Sequence, residues 1–187
     1  GGTLWLTDRR GRQVGIPAEK LAYVEIAAGS SSTVARFEAS SPWSSYCTPG
    51  TTSQGCEPAI TASGIASASS GSGFTIAAAE VEGKRRGMIL YSIDDSGFTP
   101  FPWGATSSWM CLAAPVQRTP LASSGGSRQQ CDGWLALDWN AYVATHPNAL
   151  GSPFAAGQHV FAQAWFRDPG SPGGTMLSDA LEFVMQP

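Results

Sequence analysis

Met88-Ile89-Leu90-Tyr91-Ser92-Ile93 is an almost unbroken apolar run. It lies between the basic cluster Lys84-Arg85-Arg86 and the turn sequence Asp94-Asp95-Ser96-Gly97. A run this short, closed by turn formers, reads as a central strand over Arg86–Ile93. Working outward, similar runs predict strands at Ala59–Ser63, Gly73–Ala78, Trp109–Leu112, Trp134–Leu137, His159–Phe166 and Leu181–Met185. Gly, Ser, Pro and Asp clusters separate them. Asp138 ahead of Trp139-Asn140-Ala141-Tyr142-Val143 is a helix N-cap signal, so one short helix is expected there. Alternating βαβ units are absent, which argues against a parallel α/β fold. The expected fold is therefore all-β: an antiparallel sandwich, jelly-roll or immunoglobulin-like, with at most one short helix.

Composition fits that architecture. Of 187 residues, 42% are hydrophobic, enough for a real core, and only 13% are charged, about half the usual share. A net charge of -3 leaves no electrostatic footprint for nucleic acid or acidic lipid. No apolar run approaches the roughly 18 residues a membrane span requires, so membrane insertion is not expected. The chain opens with Gly1-Gly2 rather than Met, so a leader peptide is expected to be already absent.

Four cysteines point to an oxidising compartment. Cys47 and Cys56 flank a polar loop, and Cys111 and Cys131 flank another. Of three possible connectivities, sequential pairing (Cys47 with Cys56, Cys111 with Cys131) is the expectation. Zinc fails on spacing, because there is no Cys-x-x-Cys and His146 and His159 are not paired as ligands. The expected location is secreted or cell surface.

The N-terminal segment differs in character. Residues 1–38 hold nine charged side chains, and the other 149 residues hold sixteen. Thr3–Thr7, Gln13–Ile16 and Leu21–Ile26 read as short strands, too few to stand alone, so they are expected to pack on the remainder or to be a fragment. Ser40-Ser41-Pro42-Trp43-Ser44-Ser45 reads as a linker. The expected division is residues 1–40, a β-rich segment with its linker, and residues 41–187, a disulfide-bridged sandwich.

Two resemblances cover these two parts. Tyr46-Cys47-Thr48-Pro49-Gly50-Thr51 with Gly55-Cys56, Ile60-Thr61-Ala62-Ser63-Gly64, Gly87-Met88-Ile89-Leu90-Tyr91, Pro102-Trp103-Gly104 followed by Cys111, Gln163-Ala164-Trp165-Phe166-Arg167-Asp168-Pro169 and Leu177-Ser178-Asp179-Ala180-Leu181 form one ordered set. Through them, residues 46–187 resemble a recurrent domain of large secreted bacterial proteins, commonly C-terminal, with no established activity. The resemblance implies an extracellular β-sandwich and brings no catalytic residues. One departure is Met185-Gln186-Pro187, where members often end with a cysteine. Leu6-Thr7-Asp8, Gly11-Arg12, Val14 and Pro17–Ile26 are similar to the C-terminal half of a small uncharacterised intracellular bacterial domain, over residues 3–37.

Tryptophans are the main functional signal. Flat indole faces stack on the apolar faces of sugar rings, which makes Trp103, Trp109 and Trp134 candidate ligand contacts. The competing reading puts tryptophan in the core, where each ring buries a large area. Trp165, mid-strand, is assigned to the core. Trp103, between Pro102 and Gly104, is expected to be exposed in a turn.

Other motifs read as structural. Asp94-Asp95-Ser96-Gly97 is a good turn and has too few spaced carboxylates for calcium. Arg167 is expected to pair with Asp168 or Asp179. No Gly-x-Ser-x-Gly elbow occurs, and Ser69–Gly73 lacks the Lys of a phosphate loop. A glycosidase would need facing carboxylates, and Glu80, Glu82, Asp94 and Asp138 could supply such a pair only through a fold geometry that the sequence does not show. The leading expectation is a non-catalytic extracellular module for adhesion, anchoring or spacing, without metal or cofactor. The alternative is a carbohydrate-binding module, with polysaccharide or cell-surface components as partners. A glycoside hydrolase with a carboxylate pair is third.

Overall fold

His159-Val160-Phe161-Ala162-Gln163-Ala164-Trp165-Phe166-Arg167 is apolar between its two ends except at Gln163, and in the structure it is the spine of the sheet that organises the rest. The computed structural model describes residues 3–7, 13–17, 42–96, 98–105 and 107–187. The chain divides into two units, Gly1–Ser41 and Pro42–Pro187. In the first unit, β1 (Thr3–Thr7) and β2 (Gln13–Pro17) form an antiparallel pair with Trp5 opposite Gly15. The strand expected at Leu21–Ile26 lies outside the described residues.

In the second unit the elements are β3 (Trp43–Tyr46), β4 (Ala59–Gly64), β5 (Phe74–Val81), β6 (Arg86–Ser92), β7 (Phe101–Trp103) and β8 (Ser108–Met110). They are followed by β9 (Gln117–Arg118), β10 (Ala122–Ser123), β11 (Gly133–Asp138), α1 (Trp139–Thr145), β12 (His159–Arg167) and β13 (Thr175–Val184). The large sheet has the order β10-β6-β12-β13-β3, with β9 also on β6; a smaller sheet has the order β11-β5-β4. All of these pairs are antiparallel. The architecture is an all-β antiparallel sandwich with one short helix among the described residues, as the sequence predicts.

The inner face of β12 presents Val160, Ala162, Ala164 and Phe166 to the smaller sheet, where Ile60, Phe74, Ile76, Ala78 and Leu135 complete the core. Its outer face presents Phe161 and Trp165, which join Leu90, Met110, Leu112 and Leu177 in a second apolar layer. This central strand is thus covered on both sides, the outer one by the β7–β8 hairpin and its flanking loops. Gly87 shows how close the inner approach is. A Cβ there would stand 2.8 Å from Phe166 Cβ and 2.7 Å from the Trp165 carbonyl oxygen, too near for any side chain.

Two bulges reconcile the apolar pattern with the two-residue period of a strand. Met176 and Leu181 both face the core yet are five residues apart, an odd spacing that a regular strand would send to opposite faces. The register of β12 against β13 shifts here, so Ser178 and Asp179 together oppose Ala164. Ser178 Oγ accepts the Ala164 N–H at 3.0 Å, satisfying the irregular position. In β5, Ala78 and Val81 are likewise both core residues. The shift between Gly133 and Leu135 is absorbed at Glu80, whose φ is 55°.

The helix closes one end of the sandwich. Asp138 Oδ1 accepts the Ala141 N–H at 3.0 Å, the predicted N-cap bond. Trp139 is fully buried among Tyr91, Phe154 and Phe183, with ring centroids 4.8–5.3 Å away. Asn140 donates to the carbonyls of Ile65 and Ser72 and accepts the Ser67 N–H, so the long β4–β5 loop is stitched to the helix.

The structure corrects two expectations about connections. Trp43-Ser44-Ser45 is no linker. It is most of β3, the edge strand on β13, with Ser45 opposite Leu181; a four-residue strand with two exposed serines carries little apolar signal. The disulfides are Cys47–Cys111 and Cys56–Cys131, not the sequential pairs. Cys47 directly follows the edge strand and Cys111 directly follows the covering hairpin, so layer packing, not proximity along the chain, brings them together. The bridges fit a protein outside the reducing cytosol.

Two predictions follow from this framework. Non-reducing peptide mapping recovers Cys47 with Cys111 and Cys56 with Cys131; recovery of Cys47 with Cys56 would contradict the layering. Asp179 Oδ1 accepts the Ile60 N–H at 2.6 Å, joining the β13 bulge to the smaller sheet. Burial pushes its carboxyl above the ordinary 3.8, against the lowering effect of that bond. The folded state therefore holds this proton more tightly than the unfolded state. Its contribution to stability is intact at acid pH and falls as pH rises from the ordinary value through the folded one. Asp179→Asn keeps an acceptor and removes that decline, whereas Asp179→Ala strands the Ile60 N–H and costs about 1–3 kcal/mol. Urea titrations at several pH values distinguish the three proteins.

Candidate ligand-binding groove

The outer face of the large sheet is only partly roofed, and its open part is a groove of about 430 Å³. Strand register explains its composition, because directly paired residues project to the same face. Met88 pairs with Trp165, Leu90 with Arg118, and Arg167 with Thr175. All six line the groove, together with Trp103 and Met110 from the hairpin and Val116 from the loop after it. The volume lies in the range of small-molecule sites, which combine apolar walls with a few polar groups.

Two tryptophans and two arginines give the groove its chemistry. Trp103 is half-buried, and its Nε1 donates to Thr175 Oγ1 at 3.1 Å. This contradicts the expectation of an exposed turn residue: Trp103 ends β7, and the turn begins at Gly104. Trp165 is also half-buried, so it is a groove residue rather than a sealed core residue. The Arg167 guanidinium lies over its ring, 5.6 Å from the centroid, a cation–π arrangement. Arg167 was expected beside Asp168 or Asp179, but both carboxylates are engaged elsewhere. Asp168 is fully buried and accepts the N–H of Ser53 at 2.7 Å and its hydroxyl at 2.5 Å. Asp179 holds Ile60.

The groove wall depends on one buried amide. Gln163 is fully buried on the outer face of β12. Its Nε2 donates to the carbonyls of Trp109 and Ser178 at 2.8 and 2.7 Å. Its Oε1 accepts the Cys111 N–H at 3.1 Å. The same side chain thus fastens the hairpin, the bulge and the residue carrying a disulfide. Tyr46 adds a bond from its hydroxyl to the Cys111 carbonyl at 2.9 Å. Burial first, then Glu182 and Asp95, raise its phenol well above the usual value.

The three tryptophans singled out from the sequence do not come together. Trp109 is 41% exposed and Trp134 49% exposed, but Trp109 stands on the hairpin outside the large sheet. Trp134 alternates with core residue Leu135 and so projects from the outer face of the smaller sheet. They lie on opposite sides of the sandwich and cannot form one stacking surface. Trp103 instead shares its groove with Trp165, a residue assigned to the core from its mid-strand position. The alternation of Phe161, Gln163, Trp165 and Arg167 against Val160, Ala162, Ala164 and Phe166 carried the missing signal.

The acids considered for catalysis are dispersed. Glu82 is buried and paired with Arg85 at 2.6 Å, Asp138 caps α1, Glu80 sits in the β5 bulge, and Asp94 accepts the Ser96 N–H at 2.9 Å. A hollow of about 200 Å³ does place Asp95 and Glu182 beside Tyr46 and Phe161. Glu182 Oε1 there meets His159 Nδ1 at 2.6 Å. Among the described residues, no group of three or more His, Cys, Asp or Glu side chains is placed to hold a metal ion. No helix among them is long and apolar enough to cross a membrane.

Comparison with known proteins bears on the other unit. Residues 1–35 match a family described as a protein of unknown function (DUF3107). That small uncharacterised family covers much of the segment singled out from the sequence. No curated protein matches the chain.

Gln163→Leu tests the wall. The substitution conserves size but leaves the Cys111 N–H and two carbonyls without partners. Unfolding free energy in urea is expected to fall by at least about 1–3 kcal/mol. A change below about 0.5 kcal/mol, the usual range for an uncoupled surface substitution, would remove Gln163 from this role.

Proposed function

We propose that residues 42–187 form a non-catalytic extracellular module for adhesion or anchoring, which holds a saccharide in the groove between Trp103 and Trp165. The single observation that carries this reading is that groove: two indoles and an apolar floor with polar groups at the rim, on a frame braced by two disulfides. Indole rings offer broad, rigid apolar area with little conformational entropy to lose, which suits the flat apolar faces of pyranose rings. Asp168, Asp179, Asp138 and Glu82 supply acceptors to backbone, hydroxyl or guanidinium groups of the framework, a use of carboxylates that suits a scaffold. The disulfides support an extracellular setting. Relative to the sequence reading, the ligand contacts move from Trp103, Trp109 and Trp134 to Trp103 and Trp165.

Retention on a panel of insoluble polysaccharides tests the proposal. The wild-type chain is expected to be retained by at least one of them. Trp103→Ala, with its fold checked by circular dichroism, should weaken that retention about tenfold, roughly 1.4 kcal/mol. Trp134→Ala, on the opposite side of the sandwich, should leave it unchanged. Failure of the wild-type chain to bind any glycan, or equal retention by Trp103→Ala, overturns the proposal.

A further inference from the structure

The groove carries a charge opposite to that of the molecule. The chain has a net charge of -3, yet the charged residues lining the groove are Arg118 and Arg167, with no carboxylate among the lining residues. Both arginines are exposed at the rim. The register places them on the same outward face, with Arg118 opposite Leu90 and Arg167 opposite Thr175. Arg167 is further oriented by the Trp165 ring beneath its guanidinium.

We propose that the occupant is an acidic saccharide, its pyranose ring lying against Trp103 and Trp165 and its carboxylate held by Arg118 and Arg167. This rests on the saccharide-binding reading above and adds the class of sugar. A guanidinium presents a planar fork of donors that matches a carboxylate oxygen pair. A guanidinium already stacked on an indole loses less freedom when its ligand arrives. Neutral sugars would use the indoles and leave both cations without an anionic partner. A uronate uses all four side chains. The arginines are exposed, so their share of the binding is screened by salt.

The test uses the intact chain and calorimetric titration with tetrasaccharides of polygalacturonate, alginate and hyaluronate, each beside its carboxyl-reduced neutral counterpart. At least one acidic form is expected to bind about tenfold or more tighter than its reduced form at low salt. That preference should shrink between 0.05 and 0.5 M NaCl, by roughly the extent expected as the Debye length shortens. Arg118→Gln and Arg167→Gln should each weaken the acidic form more than the neutral one, so that the gap between the two affinities narrows. Both are surface residues, so loss of fold is not the expected outcome, and thermal melting checks it. If acidic and neutral forms bind equally and both lose affinity in Trp103→Ala, the acidic-sugar inference is overturned and the saccharide reading stands. If no acidic or neutral form binds, both are overturned.

Discussion

One buried amide holds the outer layer of this sandwich to its central sheet. Gln163 sits in a strand covered on both faces, where an unpartnered polar group would cost several kcal/mol. Its two N–H donors and its carbonyl oxygen instead meet the carbonyls of Trp109 and Ser178 and the N–H of Cys111. Those three partners belong to a hairpin, a bulge and a bridged loop. Satisfying the amide therefore fixes where the roof of the sheet stops, and the space left beyond that edge is the groove.

The bulge in β13 is the second half of the same arrangement. It lets Met176 and Leu181 share the core despite their odd spacing. In doing so it turns Ser178 and Asp179 into hydrogen-bonding groups directed at the sheet's neighbours. Ser178 serves β12, and Asp179 serves β4. A single inserted residue thus links the large sheet to the smaller one and to itself. The half-buried position of Asp179 is the electrostatic cost of that link.

Much of the fold was legible because short apolar runs closed by turn formers, and helix capping, are local signals. The strands β5, β6, β11 and β12 and the Asp138 cap all stand close to where the sequence puts them. The start of β13 was not legible, because its bulge breaks the two-residue period at Ser178-Asp179. The short pieces β3, β7, β9 and β10 were missed because edge segments carrying Ser, Pro and Gln have almost no apolar pattern. The groove was the least visible feature. Its residues come from β6, β7, β8, β9, β12 and β13, and only the layered packing shows that Arg118, separated by 49 positions from Arg167, belongs beside it. The same reasoning explains the disulfides: closeness in sequence favoured adjacent partners, while the stacking of layers chose distant ones.

The crossed order of those bridges has a topological consequence. With Cys47 joined to Cys111 and Cys56 joined to Cys131, the two covalent loops interlock along the chain. A single backbone scission anywhere from residue 48 to residue 130 leaves both pieces tethered by at least one sulfur link. Adjacent pairing would have let the halves part after any cut between Cys56 and Cys111. This wiring keeps a molecule nicked within that span in one piece for as long as its sulfur links stay oxidised.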